Sequence, residues 1–203
     1  MIAIVDYGMG NLRSVQKAFE KIGSPAIITR DADFIASASG LVLPGVGAFG
    51  LCMERLDGYS LSNPIRKYIE SGRPFLGICL GLQLLFDESE EFGVQKGLGV
   101  LKGKVLRFPH GELKVPHMGW NNVQTTKKSA LFDGIPSDSY FYFVHSYYVA
   151  PEGDVATGTT EYGINFVSSV EKENVYATQF HPEKSQSAGL KMLENFSRVA
   201  DRG

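Results

Sequence analysis

Two stretches about a hundred residues apart carry the residue types of thiol chemistry. The first is Gly77-Ile78-Cys79-Leu80-Gly81, set between an apolar run and the helix-forming run Leu82-Gln83-Leu84-Leu85-Phe86. G-x-C-x-G is the cysteine form of a nucleophile elbow, in which glycines flank a tight strand-to-helix turn and the turn lifts the nucleophile into the site. A helix N-terminus there favours a thiolate, and the Leu80 N–H lies where it can donate to a developing oxyanion. The second stretch is Gln179-Phe180-His181-Pro182-Glu183. A thiol nucleophile needs a base, and the base needs an orienting group. Of the four histidines, His110, His117, His145 and His181, the last lies just past a strand and has Glu183 two residues on. Pro182 stiffens the turn between them, so Glu183 can reach one imidazole nitrogen while the other faces the thiol.

A third stretch, Pro44-Gly45-Val46-Gly47, follows an apolar run. Glycines there allow close approach to a ligand, and a backbone N–H of Val46 or Gly47 is a candidate second oxyanion donor, in a loop that need not be set in advance. Cys52 lacks the elbow context and reads as packing. Gly8-Met9-Gly10 hints at a dinucleotide fingerprint, but the third glycine of G-x-G-x-x-G falls at Arg13, so that reading fails. With two cysteines and no C-x-x-C or H-x-x-x-H spacing, neither a disulfide framework nor a structural metal site is expected.

The elements that must position these groups change character along the chain. In the first half, Ile2–Asp6, Ala26–Thr29, Leu41–Leu43 and Pro74–Ile78 are short apolar strands. They alternate with helical patterns at Asn11–Ile22, after Asp31, at Leu51–Leu56 and from Pro64 to Gly72. Continuous apolar strands between helices predict a parallel sheet covered on both faces, with the site at the strand C-termini. From Gly99 to about Phe180 the pattern is short strands with turns: Lys104–Phe108, Trp120–Gln124, Tyr140–Val144, Tyr147–Ala150, Phe166–Val170 and Val175–Phe180. Leu190, Leu193, Phe196 and Val199 then mark a last helix. Glu88, Glu90 and Glu91 read as a small solvated acidic turn.

The 203 residues, 43% hydrophobic, suffice for one core and one domain over 1–203. A net charge of −2 argues against a broad footprint for nucleic acid or anionic membrane. No apolar stretch is long enough to span a bilayer. No signal-peptide pattern stands at Met1, and the cysteine usage suits a reducing cytoplasm.

Taken together, Pro44-Gly45-Val46-Gly47, Gly77-Ile78-Cys79-Leu80-Gly81-Leu82-Gln83 and His181-Pro182-Glu183 resemble the class I (triad) glutamine amidotransferases, in order and over nearly the whole chain. Within that class, Asp6-Tyr7-Gly8-Met9-Gly10-Asn11-Leu12, Pro116-His117-Met118-Gly119-Trp120-Asn121, Tyr142-Phe143-Val144-His145-Ser146-Tyr147 and Phe180-His181-Pro182-Glu183-Lys184-Ser185 look most like the glutaminase subunits of imidazole glycerol phosphate synthases. The resemblance implies an α/β fold: an open, mostly parallel sheet flanked by helices, with an added antiparallel β region in the second half. It implies a Cys79–His181–Glu183 triad that hydrolyses L-glutamine without a cofactor. Gln83 and Glu91 would bind glutamine, with backbone groups near His145, Ser146 and Tyr147. It further implies a heterodimer with a (β/α)8-barrel cyclase subunit that receives the ammonia, faced by Asn11, Trp120, Lys184 and Ser185. A glutaminase serving another synthase, a stand-alone cysteine γ-glutamyl hydrolase and a non-catalytic binding module remain as alternatives at this point.

Overall fold

Each residue of β1 (Ile2–Val5) is buried, and the strand divides its side chains between two cores. Ala3 and Val5 join Leu41, Leu43, Phe75 and Ala177 on one face, while Ile2 and Ile4 join Val42, Leu76, Ile78 and Tyr176 on the other. An uninterrupted apolar run is therefore the signature of a strand covered on both sides. The computed structural model describes residues 1–109, 111 and 113–202; His110, one of the candidate bases, lies outside them.

The first half runs β1, α1 (Leu12–Lys21), β2 (Ala26–Thr29), α2 (Ala32–Ser37), β3 (Gly40–Gly45), α3 (Phe49–Gly58), α4 (Ser62–Glu70), β4 (Phe75–Cys79) and α5 (Leu80–Gln83). Asp31 caps α2 as its residue type predicts, accepting from the N–H groups of Asp33 and Phe34 at 2.9 Å each. The helix after Cys79 is shorter than its sequence suggests. α5 is a single turn, because the carbonyls of Leu84, Leu85 and Phe86 accept instead from the N–H groups of Leu98, Val100 and Gly99.

The second half contributes β5 (Glu88–Ser89), β6 (Gln95–Lys96), β7 (Gly103–Arg107), β8 (His117–Thr125), β9 (Ser139–His145), β10 (Tyr147–Pro151), β11 (Ala156–Glu161), β12 (Asn165–Lys172) and β13 (Val175–Thr178), then α6 (Gln186–Ala200). The main sheet runs β2-β1-β3-β4-β13-β12-β10-β7-β5-β6, and β11 links it to the β8–β9 ribbon. The block β2-β1-β3-β4-β13 is parallel, and the pairs from β13 through β7 are antiparallel. The expected plan, an open and mostly parallel sheet with an antiparallel addition, is the one observed.

Register places the chemistry. β4 pairs with β3 so that Cys79 lies opposite Gly45, and with β13 so that Ile78 lies opposite Thr178. The Pro44–Gly47 loop, the Cys79 elbow and the Gln179–Glu183 segment thus leave the same edge of three adjacent parallel strands, where open α/β sheets form their sites.

Candidate active site

Cys79 ends β4 with φ 56° and ψ −108°, a conformation that costs a non-glycine residue about 1–3 kcal/mol and persists only where neighbours over-determine it. The neighbours are visible. A Cβ on Gly81 would lie 1.8 Å from the Leu43 carbonyl oxygen, and one on Gly77 would lie 2.8 Å from the Gly81 oxygen. The two glycines of the motif are therefore set by close backbone approach between β3, β4 and the elbow. With α5 reduced to one turn, no long helix stands behind the elbow to supply the dipole that the sequence pattern suggests.

His181 follows β13 and turns its Nδ1 to Glu183 Oε1 at 2.8 Å, the carboxylate accepting; their side chains are 3% and 1% exposed. Nε2 is buried and completes no hydrogen bond. Burial opposes protonation of this ring, but the Cys79 sulfur, and after it Glu183, outweigh burial and push its pKa up to about 10. At neutral pH the ring is an imidazolium, oriented by a carboxylate on one side and presented to the sulfur on the other. A cation at that place favours a thiolate.

Cys79 and His181 open on a cavity of about 300 Å³ that is also lined by Val46, Gly47, Leu80, Gln83, Glu91, His145, Ser146 and Tyr147, and by Pro116 and Val144. Every residue assigned from sequence to the oxyanion site or to substrate binding lies on this one cavity. Its size is at the low end for small-molecule sites. Glu91 departs from the solvated-turn reading: its Oε2 accepts from the Phe49 N–H at 2.5 Å, which turns the carboxylate toward the site.

The Val46 carbonyl accepts from the Cys52 thiol at 3.6 Å, and the buried Tyr7 hydroxyl donates to the Pro44 carbonyl at 2.9 Å. Burial raises both the Tyr7 and Cys52 pKa values, Cys52 to about 11, so both groups are donors at neutral pH. Because a trans peptide sets C=O and N–H on opposite sides, Val46 O held on Cys52 directs the Gly47 N–H away from α3.

Gln179 escaped sequence reasoning. It is wholly buried; its Oε1 accepts from Gln83 Nε2 at 3.0 Å and its Nε2 faces Cys79 Sγ at 3.7 Å. The available signal was a lone amide two residues before His181, just past the wholly buried strand β13. The other two described histidines are not bases for Cys79: His117 and His145 bond to each other at 2.8 Å.

The residues expected to face a partner lie outside the cavity. Trp120 is 46% exposed on β8, edge-on to Tyr142 at 6.2 Å between ring centres, and Lys184 Nζ stands 5.7 Å above the same Tyr142 ring. Asn11 is exposed at the start of α1. Ser185 departs from that expectation. It is 1% exposed; its hydroxyl donates to the His181 carbonyl at 2.6 Å and accepts from the Tyr142 N–H at 3.0 Å, so its side chain braces the turn beneath His181 and has no free surface to offer.

Residues 3–199 match the family model described as glutamine amidotransferase class-I. The chain belongs to this family. It is 57% identical to the imidazole glycerol phosphate synthase subunit HisH of Syntrophotalea carbinolica, over 97% of this chain and 98% of that one. It is 54% identical to the subunit of the same name from Aquifex aeolicus, over 98% and 97%. Among solved structures it resembles a glutamine amidotransferase, with a TM-score of 0.77 at 20% identity over 99% of this chain and 100% of the other. It also resembles PurLQS from Thermotoga maritima, with a TM-score of 0.75 at 19% identity over 97% of each. The two structural likenesses bear on the fold alone.

Proposed function

We propose that this chain, acting as one domain over residues 1–203, is the glutaminase subunit of an imidazole glycerol phosphate synthase in histidine biosynthesis. It hydrolyses L-glutamine to glutamate and passes the ammonia to a (β/α)8-barrel cyclase subunit within a cytoplasmic heterodimer. The observation that carries the reading is a strained Cys79 at the mouth of a small cavity, facing an imidazolium whose far nitrogen is held by Glu183.

The Cys79 thiolate attacks the carboxamide carbon, and the carbonyl π electrons move onto oxygen. The Leu80 N–H, with the Gly47 or Val46 N–H, receives that oxyanion; one such donor is worth about 10²–10³-fold in rate. As the tetrahedral centre collapses, the C–N bond breaks and His181 gives its Nε2 proton to the departing ammonia. A γ-glutamyl thioester remains on Cys79. The ring, now neutral, takes a proton from water as the water adds to the thioester carbonyl. Collapse releases glutamate and restores the thiolate–imidazolium pair. Glu183 steadies the ring through both steps. Gln83 and Glu91 bind the amino-acid end of the substrate, alongside the His145–Tyr147 backbone.

Direct transfer to a cyclase keeps ammonia from protonation in bulk water, and the exposed Trp120, Lys184 and Asn11 are the side chains we assign to the partner face. The test is glutamate release by the purified chain, alone and with the cyclase subunit plus its nucleotide substrate, beside a Cys79→Ala control. Strong stimulation that Cys79→Ala abolishes is the expected result. Fast turnover by the chain alone points to a free-standing hydrolase, and activity that survives Cys79→Ala overturns the mechanism.

A further inference from the structure

The segment Pro116-His117-Met118-Gly119-Trp120-Asn121 is distinctive in the sequence, yet the chemistry above leaves His117 without a task. His117 and His145 face each other across the β8–β9 register. Both are nearly inaccessible, 3% and 5% exposed, and His117 is stacked between Phe143 at 4.8 Å and Tyr162 at 4.0 Å.

Their protons can be placed from their partners. His145 Nδ1 lies 2.8 Å from the Tyr147 carbonyl, which can only accept, so Nδ1 carries the hydrogen. At the other end, the Asn121 amide is fixed by two backbone contacts: Oδ1 accepts from the Asn122 N–H at 2.9 Å and Nδ2 donates to the Glu161 carbonyl at 2.9 Å. Asn121 Nδ2 therefore offers a hydrogen to His117 Nε2 at 3.3 Å, and Nε2 must accept. The 2.8 Å contact between His117 Nδ1 and His145 Nε2 then has one consistent filling, with Nδ1 donating. Both ends dictate the same direction, and a second proton on either ring would set N–H against N–H. Burial, which lowers the two pKa values to about 4 and 3, agrees with two neutral rings.

The chain of bonds continues into the cavity. Tyr147 O also accepts from Gln83 Nε2 at 3.0 Å, and the same Nε2 donates to Gln179 Oε1 at 3.0 Å. Both hydrogens of the Gln83 amide are thereby spent on the protein, so its orientation is fixed. Gln179, held by Oε1, keeps its Nε2 toward Cys79 Sγ.

We propose that His117 and His145 are positioning residues for glutamine hydrolysis: a one-way hydrogen-bond chain, from Asn121 through both rings to the Tyr147 carbonyl, that sets the Gln83 and Gln179 amides on the wall of the Cys79 cavity. The inference rests on the glutaminase reading for its substrate, but the direction of the chain does not.

Two measurements test it. In the protein labelled with ¹⁵N-histidine, NMR reports which ring nitrogen carries the proton; both His117 and His145 are expected neutral with the hydrogen on Nδ1. An Nε2-protonated or doubly protonated ring overturns the proposal. Kinetics with the cyclase subunit present compare His117→Leu, which removes the donor, with His117→Asn, whose amide places an N–H near the Nδ1 position. His117→Leu is expected to raise KM for glutamine about tenfold, as fits the loss of one buried hydrogen bond, with kcat changed by less than about threefold. His117→Asn is expected to restore KM, although it too loses the aromatic stack, so packing alone would move both variants together. Unchanged KM in His117→Leu, or equal losses in both, overturns the proposal. If the wild-type protein does not turn over glutamine at all, the glutaminase reading falls, and the ring tautomers still decide the chain of bonds.

Discussion

Two buried histidine groupings border the same cavity and hold opposite numbers of protons. His181 has a carboxylate on one side and a sulfur on the other, and it keeps its proton up to about pH 10. His145, which also lines the cavity, has a carbonyl on one side and another imidazole on the other, and it stays neutral down to about pH 3. Both are nearly solvent-free, and burial acts on both in the same direction, against charge. The difference lies in the bonded partner: an anion outweighs desolvation, whereas a neutral ring adds nothing to oppose it. One residue type thus supplies a mobile proton at one wall of the site and a fixed hydrogen-bond direction at the other.

The comparison is broken most severely at the His181 pair. His181→Gln removes the proton donor and base, and is expected to cut glutamine turnover about 10⁴-fold or more, with Glu183→Gln costing about 10³–10⁴-fold by leaving the ring unoriented. Glutamate release with the cyclase subunit present measures both. A loss of less than tenfold in either would remove the distinction from the His117 variants, whose expected effect is confined to KM.

A second test reads the two groupings through stability. The folded pKa of His181 lies above the ordinary 6.5, so between 6.5 and about 10 the folded chain holds a proton that the unfolded chain has lost. Its contribution is complete below pH 6.5 and declines as pH rises through about 10. His117 and His145 lie below 6.5, so the unfolded chain takes up protons first. Their contribution is complete above pH 6.5 and is lost as pH falls through about 4 and then 3. Thermal unfolding across pH is expected to show His181→Gln flattening the alkaline limb and His117→Leu flattening the acid limb. A variant that shifts both limbs equally would contradict the separation of roles.

The smallest effect is expected at the rim. Trp120 meets Tyr142 edge-on and is nearly half exposed, so Trp120→Ala is expected to change the unfolding free energy of the isolated chain by no more than about 0.5 kcal/mol. The same variant is expected to weaken capture of the cyclase subunit in a titration. Unaltered affinity there would remove Trp120 from the partner face.

Legibility in the sequence followed the physics of each part. The parallel strands were readable because burial on both faces requires unbroken apolar runs, and β1, β3 and β4 are such runs. β11 was not, since Ala156-Thr157-Gly158-Thr159-Thr160-Glu161 shows no apolar alternation. Its buried Thr157 and Thr160 are accommodated instead by hydroxyl pairs with Ser169 and Ser168, 2.9 Å each, which no hydropathy pattern announces. The length of α5 was overestimated because competing amides from residues 98–101 end it, a tertiary choice that local propensity does not contain. In the site, Cys79, His181 and Glu183 were legible as motifs because steric need fixes their spacing. Gln179 and the His117–His145 pair were not, because their roles depend on bonds between strands distant in sequence. Ser185 was misread for the same reason: adjacent to exposed Lys184, it is drawn inward by the Tyr142 and His181 backbones.

The place of β13 in the sheet has a consequence for how the protein is made. β13 lies between β4 and β12 and is the strand that leads to His181, yet it is translated about a hundred residues after its neighbour β4. A nascent chain carries Cys79 through all that interval with β3 on one side of β4 but with neither the strand on the other side nor its cation, and so without the group that favours a nucleophilic sulfur. The thiol is armed by the same insertion that closes the centre of the sheet, so reactivity comes as a late product of folding and a partly synthesised chain is spared a reactive cysteine.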